Sequence, residues 1–261
     1  MNKRLRNILI VLFAILLLFS AWKLLSMLRE YKQGQDSYVS LEEYITTVEE
    51  STPSLFRPAE MMETDAQETD DTVWPEVDFA KLLEINTDII GWIYIEGTNI
   101  SYPVVKSDDN EYYLEHLFDR SRNSSGCIFL DMACGGDFSG PHSIIHGHHM
   151  KDKSMFAHLV EYKAQEFYDS HPTALLLTPN SRYKIHLFSG YVTDDWSSAW
   201  RKEFSQVDYA AWLAEIKAKS AFESEYVPHK TDRILTLATC TYEFDDAKFV
   251  VHGSIEEIPI Q

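Results

Sequence analysis

The chain has 261 residues, 45% of them apolar and 25% charged. These ordinary globular values exclude a disordered chain, a collagen and a many-span membrane protein. Lys and Arg number 23 against 41 Asp and Glu, a formal charge of −18, and the excess is uneven: residues 1–30 carry five basic groups and one acid, leaving 18 basic and 40 acidic groups in the other 231. A body that acidic repels phosphate backbones, so nucleic acid is not expected as a partner.

Ile8 to Trp22 is an apolar run broken only by Ser20, and after Lys23 it resumes with Leu24, Leu25, Met27 and Leu28. A bilayer core needs about 20 helical residues. Ile8–Leu28 supplies that length when Lys23 extends its amine to the interface. Lys3, Arg4 and Arg6 precede the run and place the N-terminus in the cytoplasm. The expectation is a cytoplasmic tail and single-pass signal anchor over residues 1–30, with the rest of the chain on the extracellular side of the cell membrane. The alternative is a cleaved signal peptide, which needs a shorter apolar region and a small-x-small site. Ser20-Ala21 followed by Trp22, Lys23 and Leu24 makes a poor one.

Ser40-Leu-Glu-Glu43 reads as a capping box that opens a short amphipathic helix through Leu41, Tyr44, Ile45 and Val48. Residues 41–80 hold 12 acids and Arg57 as their only base. Within them Glu50–Thr72, with Pro53, Pro58 and little periodicity, reads as a solvated acidic linker. Residues 31–77 are therefore expected to form a helix and a stalk, and residues 78–261 the folded domain. That domain opens with a turn or two of helix at Phe79, Leu82 and Leu83. Eight short strands follow: Trp92–Ile95, Ile100–Val105, Cys127–Leu130, Ser143–Ile145, Ala174–Thr178, Tyr183–Val192, Arg233–Thr239 and Phe249–Ile255. Turn signals lie at Gly97-Thr98-Asn99 and Pro179-Asn180-Ser181. The pattern predicts a mostly β fold, a closed or nearly closed barrel. Two helical insertions are expected, Lys153–Tyr168 and one after Ser205. The stripe Tyr209, Trp212, Leu213, Ile216 of the second packs against the barrel.

Three cysteines are too few for a disulfide scaffold. Cys127 and Cys134 either pair across a turn or are two separate small residues, and spacing does not decide. Cys240 ends the apolar run Ile234–Cys240, at the end of a strand where loops open a barrel. By residue type it is a small buried apolar group; by location, a free thiol outside the cell is one retained for its chemistry. Histidines gather in Pro141–Met150, and three readings stand. His146 and His148, two apart on an extended segment, bind zinc in a hydrolase. Or these are surface loop histidines. Or one of them holds Cys240 as thiolate and serves as general acid. No HExxH helix or zinc-finger spacing accompanies them, and the abundant acids show no spaced calcium loop. No metal and no cofactor is expected.

Thr236-Leu-Ala-Thr-Cys240 resembles the TLxTC signature of the sortases, the membrane-anchored cysteine transpeptidases of Gram-positive bacteria. His146-Gly-His148-His149-Met150-Lys151-Asp152 with Ser154-Met155-Phe156 is similar to the YGHNMKDGSMF segment of class B sortases. Asp88-Ile-Ile-Gly-Trp-Ile, Tyr102-Pro-Val-Val105, Asp109–Leu114 and Ile128-Phe-Leu-Asp131 extend the resemblance over about residues 78–255. It implies a closed eight-stranded sortase-type β-barrel with N-terminal helices and a helix inserted before the strand of the catalytic cysteine. It also implies a thiol-dependent reaction. Cys240 attacks the Thr carbonyl of a sorting-signal pentapeptide in a secreted protein, and His148 gives a proton to the leaving amine. An amine of a cell-wall precursor or of a pilin then resolves the thioacyl enzyme. Wall anchoring and pilus polymerisation differ only in the amine accepted. His146 stands where the family has Tyr, and His149 where it has Asn. The departure is Lys248, at the position of the family's Arg, which keeps the charge without the bidentate fork. Three accounts follow. Lys248 serves less well; another Arg substitutes, although Arg233, seven residues before Cys240, would face the opposite side of a regular strand; or the protein is a weakly active or non-catalytic module that binds sorting signals or pilins. Substrate-binding residues are not legible.

Overall fold

The computed structural model describes residues 3–46 and 74–259. A single helix α1 (Lys3–Leu41) contains the whole apolar run and continues for a further thirteen residues. One 3-10 turn (Glu42–Tyr44) and strand β1 (Ile45–Thr46) follow it. The capping box is therefore not a helix start. The chain is already helical at Ser40, whose Oγ donates back to the Ser37 carbonyl at 2.6 Å, so its hydroxyl is not free to cap a new helix. The acidic stretch Glu50–Thr72 lies outside the described residues. On its two sides β1 pairs antiparallel with β2 (Glu76–Val77), Ile45 against Val77.

Helix α2 (Phe79–Ile85) starts at Asp78, whose carboxylate accepts the Lys81 amide at 3.1 Å, and it drives Leu82 fully into the core. The barrel strands are β3 (Ile89–Tyr94), β4 (Ser101–Val105), β5 (Ile128–Leu130), β6 (His142–His146), β7 (Thr173–Leu177), β8 (Arg182–Thr193), β9 (Arg233–Cys240) and β10 (Lys248–Ile258). They close in the order β10-β8-β7-β3-β4-β5-β6-β9. All eight predicted strands are present, displaced by no more than three residues at an end. Two pairings are parallel, β4 with β5 and β6 with β9; the second decides where the site forms.

The barrel is apolar on both faces because both are covered. Along β9 and β10, Leu235, Leu237, Phe249 and Val251 fill the interior. The alternate residues Ile234, Ala238 and Val250 lie outside, under helix α4 (Gln206–Ala218). This helix starts at Ser205, whose hydroxyl accepts the Asp208 amide. Tyr209, Trp212, Leu213 and Ile216 are all buried against the barrel. The stripe is packing, as its spacing predicts.

The insertion expected over Lys153–Tyr168 is regular only from Ala157 onward: a 3-10 stretch Ala157–Lys163, then α3 (Gln165–Ser170). Lys153 and Met155 have φ of 67° and 57°, a left-handed geometry that no α-helix accepts. The Asp152 carboxylate fixes that turn by accepting the Ser154 amide at 3.0 Å and its hydroxyl at 2.6 Å. Cys127 and Cys134 are both free. Cys134 belongs to the barrel interior, and Cys127 to a second apolar cluster around Leu82, Trp92 and Phe118. They face different sides of the wall and do not pair.

Candidate active site

Cys240 is the last residue of β9 and Lys248 the first of β10, and the two are direct partners across the antiparallel ladder. Directly opposed residues project their side chains to one face, with Cβ atoms about 4.5–5.5 Å apart. The sheet register alone therefore sets a thiol beside an ammonium. Cys240 is the one exposed cysteine. Burial pushes the Cys127 thiol up to about 12 and raises that of Cys134, which leaves both as packing groups.

The third residue arrives by the parallel pairing. His146, at the end of β6, is level with Ala238, and the Gly147 amide donates to the Ala238 carbonyl at 3.0 Å. Two residues further on each chain come His148 and Cys240, so the ladder carries the histidine to the thiol. Gly147 has to be glycine, because a Cβ there would run into Ile128 and Phe156 of the barrel wall. His148 Nε2 is 2.8 Å from the Leu114 carbonyl oxygen. A carbonyl only accepts, so Nε2 carries a hydrogen, and Nδ1 is the nitrogen free to exchange a proton. Cys240, His148 and Lys248 line one cleft of about 310 Å³, with Asn110, Leu114, Phe129 and His146 on its walls.

The cleft walls are cross-braced. Buried Asp131 receives His146 Nε2 at 3.2 Å, Asn110 Nδ2 at 3.2 Å and the Lys202 ammonium at 2.9 Å. Burial pushes its carboxyl up, but the hydrogen bonds from His146, Lys202 and the Ala133 amide outweigh this and hold it well below the usual range. Lys202 thereby ties the 194–205 loop, which carries Asp195, to the cleft floor. Asp195 Oδ1 lies 3.7 Å from Lys248 Nζ. His149 Nδ1 donates to the Cys240 carbonyl at 2.9 Å, which holds the backbone of the thiol.

The structure thus assembles Cys240, His148 and Lys248 and separates Arg233 from them. Arg233 begins β9, where its guanidinium meets the Phe138 carbonyl at 3.3 Å and Glu257 at 3.6 Å. That is the far end of a strand about 23 Å long, so it cannot replace a cation at the cleft. His146, His148 and His149 turn to three different partners, and among the described residues no three His, Cys, Asp or Glu side chains converge as for a metal. Sequence reasoning missed the Asp131 brace, which Asp131 signalled only as the polar end of an apolar strand. It also missed the Leu114 carbonyl and the His149 contact, because backbone acceptors leave no mark on residue identity.

No family model matches the chain. It is 30% identical to a sortase B of Listeria monocytogenes over 241 residues, 91% of each chain. The structure is similar to sortase B from Bacillus anthracis, at a TM-score of 0.71 and 27% identity, over 88% of this chain and all of that one. It also resembles a Staphylococcus aureus sortase B–substrate complex, at a TM-score of 0.66 and 33% identity, over 69% of this chain and 85% of that one.

Proposed function

The chain belongs to the sortase B family, and from this membership we propose that it is a membrane-tethered transpeptidase in which Cys240, His148 and Lys248 carry the reaction. The observation that carries this reading is the double register, antiparallel from Lys248 and parallel from His148, that converges on one exposed thiol.

His148 Nδ1 takes the Cys240 thiol proton, the resulting thiolate adds to the Thr carbonyl of a sorting-signal pentapeptide, and the carbonyl electron pair moves to oxygen. Lys248 Nζ, on the same face, offsets that charge. The oxyanion collapses, the C–N bond breaks, and His148 gives its Nδ1 proton to the departing amine, leaving a thioester on Cys240. An amine then enters on the same path. His148 Nδ1 takes its proton, the new amide forms and the thiolate leaves. Throughout, Nε2–H stays on the Leu114 carbonyl, so only one nitrogen trades protons. The donor is a secreted protein with a C-terminal sorting signal, and the acceptor an amine of a cell-wall precursor or a pilin.

The apolar part of α1 supports the tether. Among the described residues this helix is long and apolar enough to cross a membrane. Ile8–Leu28 spans about 31 Å at 1.5 Å per residue, and the basic residues before it favour a cytoplasmic N-terminus.

A second reading rests on one contact. Asp195, 3.7 Å from Lys248, draws on the charge meant for the oxyanion, which favours a slow enzyme or a module that binds sorting signals without exchanging them. The test is amide formation. The full chain is incubated with Pro-x-Thr pentapeptides and an amine acceptor, beside a Cys240→Ala control. A new peptide–acceptor amide in the first arm alone supports the transpeptidase. Peptide binding by both proteins with no amide from either supports the second reading.

A further inference from the structure

The thirteen residues of α1 beyond Leu28 have no role in the reaction described above, yet they make a set of specific contacts with the domain. The helix runs without a break from the apolar span into this stretch, and the contacts start at once. The Asn123 side-chain amide donates to the Glu30 carbonyl at 2.9 Å, and the Ser124 amide donates to the Glu30 carboxylate at 2.9 Å. One turn later Gly34 is buried against Ser125, so close that a Cβ would stand 2.7 Å from its Oγ. Gln35 Nε2 donates to Asp152 Oδ2 at 3.1 Å. Tyr38 packs its ring edge-on to Tyr102 at 5.3 Å, and its hydroxyl donates to the Gly126 carbonyl at 2.5 Å.

These contacts fall on the two segments that hold His148. The first is the wall that supplies the Leu114 carbonyl. Gly126, at φ 58°, is folded so tightly against it that a Cβ would lie 2.5 Å from the Tyr113 oxygen, 2.8 Å from the Leu114 oxygen and 3.1 Å from His148 Cδ2. The Cys127 amide donates to the Tyr113 carbonyl at 2.8 Å. The second is the turn that leaves the histidine. Asp152, grasped by Gln35, fixes Ser154, and the Phe156 amide donates back to the His148 carbonyl at 2.9 Å. The Met155 amide donates to the hydroxyl of Tyr102, the ring on which Tyr38 rests. Tyr38 thus reaches the histidine through Gly126, and Gln35 reaches it through the turn at residues 152–156.

We propose that the Glu30–Leu41 portion of α1 is a strut that positions His148 for proton transfer, with Tyr38 and Gln35 as its positioning residues. The inference rests on His148 being the proton carrier. A histidine held at one nitrogen by a backbone carbonyl depends on that carbonyl staying put, and displacement of a reacting group by about 1 Å is enough to cost orders of magnitude in rate. Because the strut is continuous with the apolar span, it joins the membrane-proximal helix to the segments that hold His148.

The experiment uses the full chain in detergent micelles. Tyr38→Phe, Gln35→Ala, the double variant, Gly34→Leu as a wedge, Gln33→Ala as an exposed helix control, and His148→Ala are compared. The readouts are kcat and KM for amide formation, the melting temperature, and the NMR signal of the 13C-labelled His148 ring. We expect kcat to fall about tenfold in Tyr38→Phe and further in the double and wedge variants. KM should stay within twofold, and the His148 signal should move in the same proteins and stand still in Gln33→Ala. Unchanged kcat and an unmoved signal in Tyr38→Phe and the double variant would overturn the strut. So would losses that follow the melting temperature alone. Full activity of His148→Ala would instead overturn the assignment of His148, a failure visible separately from that of the strut.

Discussion

His142 and His148 stand six residues apart on and just beyond one strand, and the fold gives them opposite chemistry. His142 opens β6, buried beside Trp212. Its Nδ1 donates to the Arg201 carbonyl at 2.6 Å, and its Nε2 lies 2.6 Å from the Thr236 hydroxyl. That hydroxyl meets His252 Nδ1 at 2.7 Å, and His252 Nε2 meets the Tyr191 hydroxyl at 3.3 Å. The chain is complete with both rings neutral: each ring donates once, each accepts once, and no site remains for an extra proton. Burial, first of all, pushes His142 down to about 4 and holds His252 well below the usual histidine range. His148 lies past the last ladder pair, at the barrel rim, with one nitrogen fixed and the residue lining a cleft. The same side chain is a structural pin where the strand is covered and, in the reaction proposed above, the proton carrier where the cover ends.

The contrast is sharpest by substitution. His148→Ala should reduce amide formation by about 10³-fold or more while the melting temperature changes little. His142→Ala should cost about 3 kcal/mol of stability, through an orphaned Thr236 hydroxyl, an orphaned Arg201 carbonyl and a cavity. Thermal melts beside turnover assays check both, and a stable, active His142→Ala protein would break the comparison.

At the cation, Lys248→Met should lose about 10²–10³-fold in kcat, the usual effect of removing one oxyanion donor. Lys248→Arg should gain a few-fold by restoring the fork. Equal rates in all three proteins would remove Lys248 from the reaction.

The pin also predicts a direction in pH. A histidine whose folded pKa lies below its unfolded value of 6.5 binds fewer protons folded than unfolded between the two values. Stability is therefore complete above about pH 6.5 and falls as the pH drops toward 4. Each of the two core histidines contributes a slope of up to about 1.4 kcal/mol per pH unit there. Chemical denaturation at pH 7 and pH 5 measures it, and His142→Gln should halve the slope.

The smallest expected effect lies at the brace. Lys202→Met leaves Asp131 with His146 and Asn110 and loosens the 194–205 loop. KM should rise about threefold with little change in kcat, since the pair is partly solvated. A kcat loss without a KM change would move Lys202 from the loop to the chemistry.

How much of this the sequence discloses varies with the kind of interaction. The eight strands are legible because covered barrel strands are apolar runs bounded by turn residues. Helix α4 is legible because its stripe repeats at 3.6 residues. Cys240, His148 and Lys248 are legible as side chains in motifs, although only the register shows that they meet. The start of α1 is legible; its end is not, because Ser40 and Glu43 fit a capping box whether or not the chain before them is helical. Nor is the left-handed turn at Lys153 and Met155, which rests on one aspartate carboxylate rather than on glycine. The Asp131 brace, the Leu114 carbonyl and the docking of Tyr38 on Gly126 join residues 15 to 88 positions apart in sequence. Pairs so distant meet only once the barrel has closed.

The central claim is that Cys240 forms a thioester with a sorting peptide, and intact mass spectrometry tests it most directly. The full chain is mixed with the pentapeptide panel, without an amine acceptor, beside Cys240→Ala. The account predicts a mass increase equal to a peptide cleaved after Thr, on the Cys240 protein alone, that disappears when an amine is added. An adduct of equal size on Cys240→Ala, or amide formation by that variant, would contradict it.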